Sequence, residues 1–153
     1  MSAPTLRPLV TAGLVIGIGM GGFVDGILFH QILQIHNMLS ARVATDTLVG
    51  VKVNMVWDGL FDAVDWIATA TGIVLLWRAL TRAEVVRSGR ALAGACLAGF
   101  GLFNLVEGVI DHHLLGLHHV YERAGPSRWD ALFLLFGAAL VATGWMMVRG
   151  ERE

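Results

Sequence analysis

Four apolar stretches, each about twenty residues long, decide what this chain can become. They cover residues 9–28, 58–77, 91–110 and 129–148. A bilayer's hydrocarbon core is roughly 30 Å thick and takes about 20 residues of helix to cross, so each stretch can span it. Inside lipid the backbone must satisfy its own hydrogen bonds, which an isolated apolar segment does only as a helix. The expected fold is therefore all-α, a four-transmembrane-helix bundle, with residues 1–153 forming a single membrane domain. Composition agrees, since 56% of residues are hydrophobic and only 15% charged, against about 25% charged in a soluble domain. The first stretch is expected to be a span and not a leader. It is long, lacks a small-residue cleavage site, and runs into an amphipathic continuation.

The spans are interrupted by polar residues in a repeated pattern. GFVDGILFHQILQIH, residues 22–36, carries Asp25, His30 and His36; NLVEGVIDHHLLGLHH, residues 104–119, carries Glu107, Asp111, His112, His118 and His119. Both follow V-[DE]-G-[IV]-[LI]-x-H-x-[IL]-L-x-[IL]-H, which aligns Asp25 with Glu107, His30 with His112 and His36 with His118. A second echo follows in each half, WDGLF at 57–61 and WDALF at 129–133. The order of motifs implies two tandem helical hairpins, about 9–78 and 91–149, related by a pseudo-two-fold axis along the membrane normal.

Arginines set the expected orientation. Arg78, Arg82, Arg87 and Arg90 crowd the connection between the second and third spans, with Arg7, Arg149 and Arg152 near the termini. The opposite side has Arg42, Lys52, Arg123 and Arg128, diluted by Asp46 and Glu122. The positive-inside rule then places both termini in the cytoplasm of a bacterial inner membrane. With a net charge of −1 and no basic patch, the chain offers nothing to nucleic acid.

Every ionisable group within the spans falls on the outward side: Asp25, His30, Asp58, Asp62, Asp65, Glu107, Asp111, His112 and Asp130. An acid in lipid costs several kcal/mol unless it is protonated, paired or metal-bound, and no Lys or Arg lies at this depth. Carboxylate and imidazole together suit a first-row transition metal, Zn, Fe or Cu. The expected ligands are His30, His112, Glu107, Asp25 and Asp58, with Asp111 and Asp62 next. If the helices continue as drawn, His36 lies about 16 Å along the axis from Asp25, too far to share an ion with it. His36, His118 and His119 are then a shallow rim around an outward-opening cup that captures the ion or shuttles protons. His30 and His112 are expected about a third of a turn away from the acids' face.

Other readings use the same residues, the plainest being a polar hydrogen-bond network that holds the helices together. His30 and His112 could be axial ligands of a haem. A membrane metalloenzyme, hydrolase or oxidase, would need an open coordination position, and no substrate is named by the sequence. A proton or cation transporter needs polar groups along its whole route, whereas the inward half carries no charge. The single cysteine, Cys96, excludes a disulfide framework and Cys-based zinc. GIGMGG at 17–22 matches a dinucleotide fingerprint but lies inside a span with no preceding strand; Gly13, Gly17 and Gly21 are instead spaced for close helix contact.

The motifs at 22–36, 57–61 and 104–119 resemble those of a bacterial family of four-helix integral membrane proteins, a domain of unknown function with His-rich motifs. The resemblance covers nearly the whole chain. Family members often carry two adjacent histidines where this chain has His36-Asn37, and a histidine after DGLF where it has Asp62. Members occur near cytochrome oxidase assembly factors, which implies copper or haem handling and a partner in the respiratory chain or oxidase assembly. The lipid bilayer is an expected partner; a homo-oligomer stays open.

Overall fold

The computed structural model describes residues 3–151, so Arg152 lies outside the described region. Four helices traverse it. α1 runs Arg7–Phe23 and continues unbroken as a π-helix, Val24–Ile32. α2 is Leu48–Leu80. α3 is Gly89–Glu107, also continued by a π-helix, Gly108–Leu114. α4 is Arg128–Arg149, and a single 3-10 turn, Glu122–Ala124, precedes it. Each is long and apolar enough to cross a membrane.

Local chemistry starts these helices where they start. Pro8 sits in the first turn of α1, where its missing N–H costs nothing. The Thr47 hydroxyl accepts from the Gly50 N–H at 3.0 Å to cap α2, and Ser88 does the same for Ala91 at 3.0 Å in α3. In α4 the cap comes from the third residue, Asp130, which accepts from the Ser127 N–H at 3.0 Å. α2 begins ten residues before the expected span, so its 33 residues extend about 50 Å.

The helices stand in a row, α2–α1–α3–α4. α1 and α3 bury 44 and 50% of their apolar windows, whereas α2 and α4 bury 11 and 17% and turn most of their surface to lipid. Small residues bring the central pair together. A methyl added at Gly17 would run into the carbonyl of Cys96, and one at Gly99 into the carbonyl of Leu14. Gly13 faces Ala95 and Gly21 faces Phe103, so positions climb together and α1 and α3 are parallel. This is the glycine-spaced contact expected from residues 13–21.

The buried face changes character along the axis. At the end carrying the termini it is Leu6, Leu9, Val10, Ala79, Val85, Ala91, Ala95 and Val148. Towards the end carrying the connections 33–47 and 115–127, the buried polar groups are carboxylates, imidazoles and the amides of Asn54 and Asn104. One stripe of α2 shows the switch, with Asn54, Asp58 and Asp65 buried in one half and Gly72 and Ala79 in the other.

Candidate metal centre

The π-helical turns build the site's first contacts. Asp25 and His30 are five residues apart, as are Glu107 and His112, and in an α-helix such residues point about 140° apart. A π-helix bonds i to i+5 and brings them onto one side. His30 Nε2 lies 2.9 Å from Asp25 Oδ2, and His112 Nε2 lies 3.3 Å from Glu107 Oε1. The expectation that His30 and His112 face away from the acids is overturned for this reason.

The helices then stop, and the chain reverses over the site. The Leu33 N–H donates to the Leu28 carbonyl, and the Leu115 N–H to that of Ile110, each at 2.8 Å. The next residues, Gln34 (φ 49°) and Gly116 (φ 54°), are left-handed, a conformation that ends helices. The chain folds back, and His36 and His118 drop inward. Their residues are 3 and 0% exposed. His36 Nε2 comes to 3.7 Å from Asp25 Oδ1, and His118 Nε2 to 3.0 Å from Glu107 Oε1. The rim reading of His36, His118 and His119 is therefore corrected: the first two lie at the centre, and His119 is buried behind it. The open cup is a covered chamber, its two connections tied by Ala41 N–H to the Leu117 carbonyl at 3.0 Å and Glu122 N–H to that of Ile35 at 3.3 Å.

Three of the central imidazoles are hydrogen-bonded from outside through the other nitrogen, and the fourth, His112, has a carboxylate close to it. His30 Nδ1 donates to Asp58 Oδ1 at 3.0 Å, and His112 Nδ1 lies 3.4 Å from Asp130 Oδ1. His36 Nδ1 donates to the Val120 carbonyl at 3.0 Å, and His118 Nδ1 to that of Met38 at 3.2 Å. A carbonyl oxygen only accepts, so in His36 and His118 the hydrogen belongs on Nδ1. In the neutral ring, Nε2 then presents a lone pair towards a carboxylate oxygen that also only accepts. Such a contact is repulsive unless a cation, proton or metal, lies between them.

Distances and partners fit that demand. Asp25 Oδ2, His30 Nε2, His36 Nε2, Glu107 Oε2 and His112 Nε2 are buried without a hydrogen-bond partner, although His30 Nε2 and Asp25 Oδ2 are 2.9 Å apart. Donor atoms bound at about 2.1 Å around a tetrahedral ion are themselves about 3.4 Å apart, inside the observed range of 2.9 to 3.7 Å. Donor atoms of Asp25, His30, His36 and His118 lie within 4.8 Å of one another, as do those of Glu107, His112 and His118, so either group could hold a metal ion. The rings of His36 and His118 stack at 4.7 Å and link the two groups. His118 lies outside the spans; burial opposes its charge, but the hydrogen bond and charge of Glu107 outweigh this and raise its pKa above the ordinary histidine value.

A family model matches residues 12–151 of this chain. The chain belongs to that family, described as Predicted membrane protein (DUF2243). No curated protein and no solved structure matches it.

Among the expected ligands, Asp25, His30, Glu107 and His112 meet in the chamber. Asp58 stands behind His30, with Oδ1 also accepting from the Met38 N–H at 2.8 Å and Oδ2 from Asn37 Nδ2 at 2.8 Å. Asp62 accepts from Gln31 Nε2, and half-buried Asp111 belongs to neither group. Asp130 was missing from the expected ligand list. Its carboxylate meets His112, His119 Nδ1 at 3.3 Å and the Val120 N–H at 3.0 Å. The signal was present in the sequence, because WDALF aligns Asp130 with Asp58.

Proposed function

We propose that this membrane protein binds transition-metal ions in the chamber beneath the 33–47 and 115–127 connections, on the outer face of a bacterial inner membrane, for metal handling or metal-dependent chemistry. One observation carries the reading: four buried imidazoles, three hydrogen-bonded through Nδ1 and the fourth, His112, with Nδ1 3.4 Å from Asp130, whose Nε2 atoms converge on Asp25 and Glu107. Outer hydrogen bonds of this kind fix the tautomer and aim of metal-binding histidines. The proposed ligands are His30, His36, His112, His118, Asp25 and Glu107, with Asp58 and Asp130 as supports. An all-nitrogen-and-oxygen set suits Zn, Fe or Cu(II).

Packing favours an ion over haem. The rings of His30 and His36 are 4.7 Å apart and those of His112 and His118 4.8 Å apart, edge to face, which leaves no slot for a macrocycle between them. A transport route is also disfavoured, because among the described residues every buried charged side chain lies at the chamber end. The orientation rests on Arg78, Arg82, Arg87 and Arg90 at the opposite end.

Elemental analysis of untagged protein purified in detergent tests the proposal. Zn, Fe or Cu is expected to copurify or to reload after chelation. Protein that stays free of metal after reconstitution would mean that protons alone bridge these groups.

A further inference from the structure

The chamber's six inward groups divide by hairpin. Asp25 and His30 come from the π-helical continuation of α1 and His36 from the connection after it; Glu107 comes from the end of α3, His112 from its π-helical continuation and His118 from the connection after it. Within each set one carboxylate meets two Nε2 atoms. Asp25 splits its oxygens between His30 and His36, while Glu107 turns Oε1 to both His112 and His118 and keeps Oε2 buried without a partner. Each set is two histidines and one carboxylate, which is enough to hold a transition-metal ion while leaving coordination positions open.

The charge of the four carboxylates that meet these histidines agrees with that number; Asp65, also buried, has no histidine ion pair among the described residues and is not counted. With the histidines neutral and protonated on Nδ1, Asp25, Asp58, Glu107 and Asp130 together carry four negative charges. Among the described residues the ion pairs of these carboxylates are all with histidine. Two divalent ions cancel the four charges. One leaves two uncompensated in a buried site, where isolated charge is expensive.

The surroundings of the two sets differ. A cleft of about 540 Å³ opens beside the first set, where His30 and its support Asp58 line it with Gln31, Gln34, Asn37 and Met55 among others, while Asp25 and His36 lie behind it. The additional turns of α2 form one wall, through Val51, Asn54 and Met55. On the second side α4 starts only two residues before Asp130.

Resting on the metal reading above, we infer that the chamber holds two divalent transition-metal ions, one per hairpin, and that the ion at Asp25, His30 and His36 is the one that takes a small exogenous ligand through the cleft. The amide and hydroxyl groups at its mouth suit a small polar molecule or anion, for which azide is a usable probe.

Cobalt(II) titration of the metal-free full chain in detergent, followed optically and by equilibrium dialysis, tests both statements. The near-isosteric variants Asp25→Asn and Glu107→Gln keep the chamber's volume, and thermal unfolding checks that each is folded. Two equivalents are expected in the wild type and one in each variant. A single equivalent in the wild type, lost in both variants, overturns the two-ion inference while leaving the metal reading intact; no binding in the wild type overturns both. Should one variant fail to fold, the wild-type stoichiometry and the other variant still decide. Azide should shift the cobalt spectrum of the wild type and of Glu107→Gln, and not that of Asp25→Asn. Equal shifts in the two variants would overturn the assignment of access.

Discussion

In the first hairpin His30 is backed by Asp58, whose second oxygen is held by Asn37; in the second, His112 is backed by Asp130, whose second oxygen meets His119. Asn37 donates a hydrogen bond to Asp58 at 2.8 Å, whereas the aligned His119 stands 3.3 Å from Asp130 without hydrogen-bond alignment. One turn deeper the two sides trade bulk. Gly22 gives space to Asp65 on the first side, while Gly137 gives space to Asn104 on the second. Towards the termini the sides match again, Gly17 on the Cys96 carbonyl and Gly99 on that of Leu14. These reciprocal contacts support the proposal that the hairpins are repeats. They also teach where the halves are free to differ: behind the imidazoles, at the cleft and at Asp65, and not in the groups that face each other.

Overpacking the shared frame should have the largest effect. Leu at Gly17 would press on a backbone carbonyl that cannot rotate away, so Gly17→Leu should cost about 3 kcal/mol or more, beyond the usual range for crowded cores. Gly99→Leu should match it in thermal unfolding. A clear inequality would break the equivalence of the hairpins at their shared interface.

The supports behind the imidazoles come next. Asp58→Asn should weaken metal binding about 10–100-fold, the usual loss when an outer partner of a metal-binding histidine is removed. Asp130→Asn should do less, because its contact with His112 is longer, 3.4 Å against 3.0 Å, and His112 Nδ1 lacks hydrogen-bond alignment. Competition titrations with a chelator measure the ordering, and a reversed order would count against this difference between the sides.

Acid should release metal. The raised pKa of His118 means that, without metal, its pairing with Glu107 is fully present at low pH and is lost as pH rises through the raised value. A metal must displace that proton, so affinity should fall as pH drops below the raised pKa, by up to about tenfold per unit for each proton displaced. Affinity that does not vary with pH would exclude His118 as a ligand. The smallest effect is expected from Asn37→His, which makes the first side resemble the second. A longer imidazole contact to Asp58 replaces one hydrogen bond, so stability should change by about 1 kcal/mol or less.

The spans were legible because twenty apolar residues have one stable form in lipid, and the helix contact at Gly13 and Gly17 because glycines four apart have little other use there. The motif alignment placed Asp25, His30, Glu107 and His112 correctly near one another. It failed at the helix ends. ILQIH and LLGLH continue an apolar pattern that suggests more helix, and Gln34 carries no stop signal of its own. Its aligned residue, Gly116, does, and reading the halves together would have exposed the reversal that brings His36 and His118 inward. The π-turns were invisible for another reason. They depend on i to i+5 bonding that side-chain periodicity does not encode, yet they alone set His30 on Asp25 and His112 on Glu107.

The central claim is that imidazole Nε2 atoms and the two carboxylates together bind metal, and X-ray absorption at the edge of the copurified or reloaded metal tests it most directly. The expected spectrum is a nitrogen–oxygen shell at about 2.0–2.2 Å with the outer scattering of about two imidazoles per ion. A shell containing sulfur, or one without imidazole scattering, would contradict it.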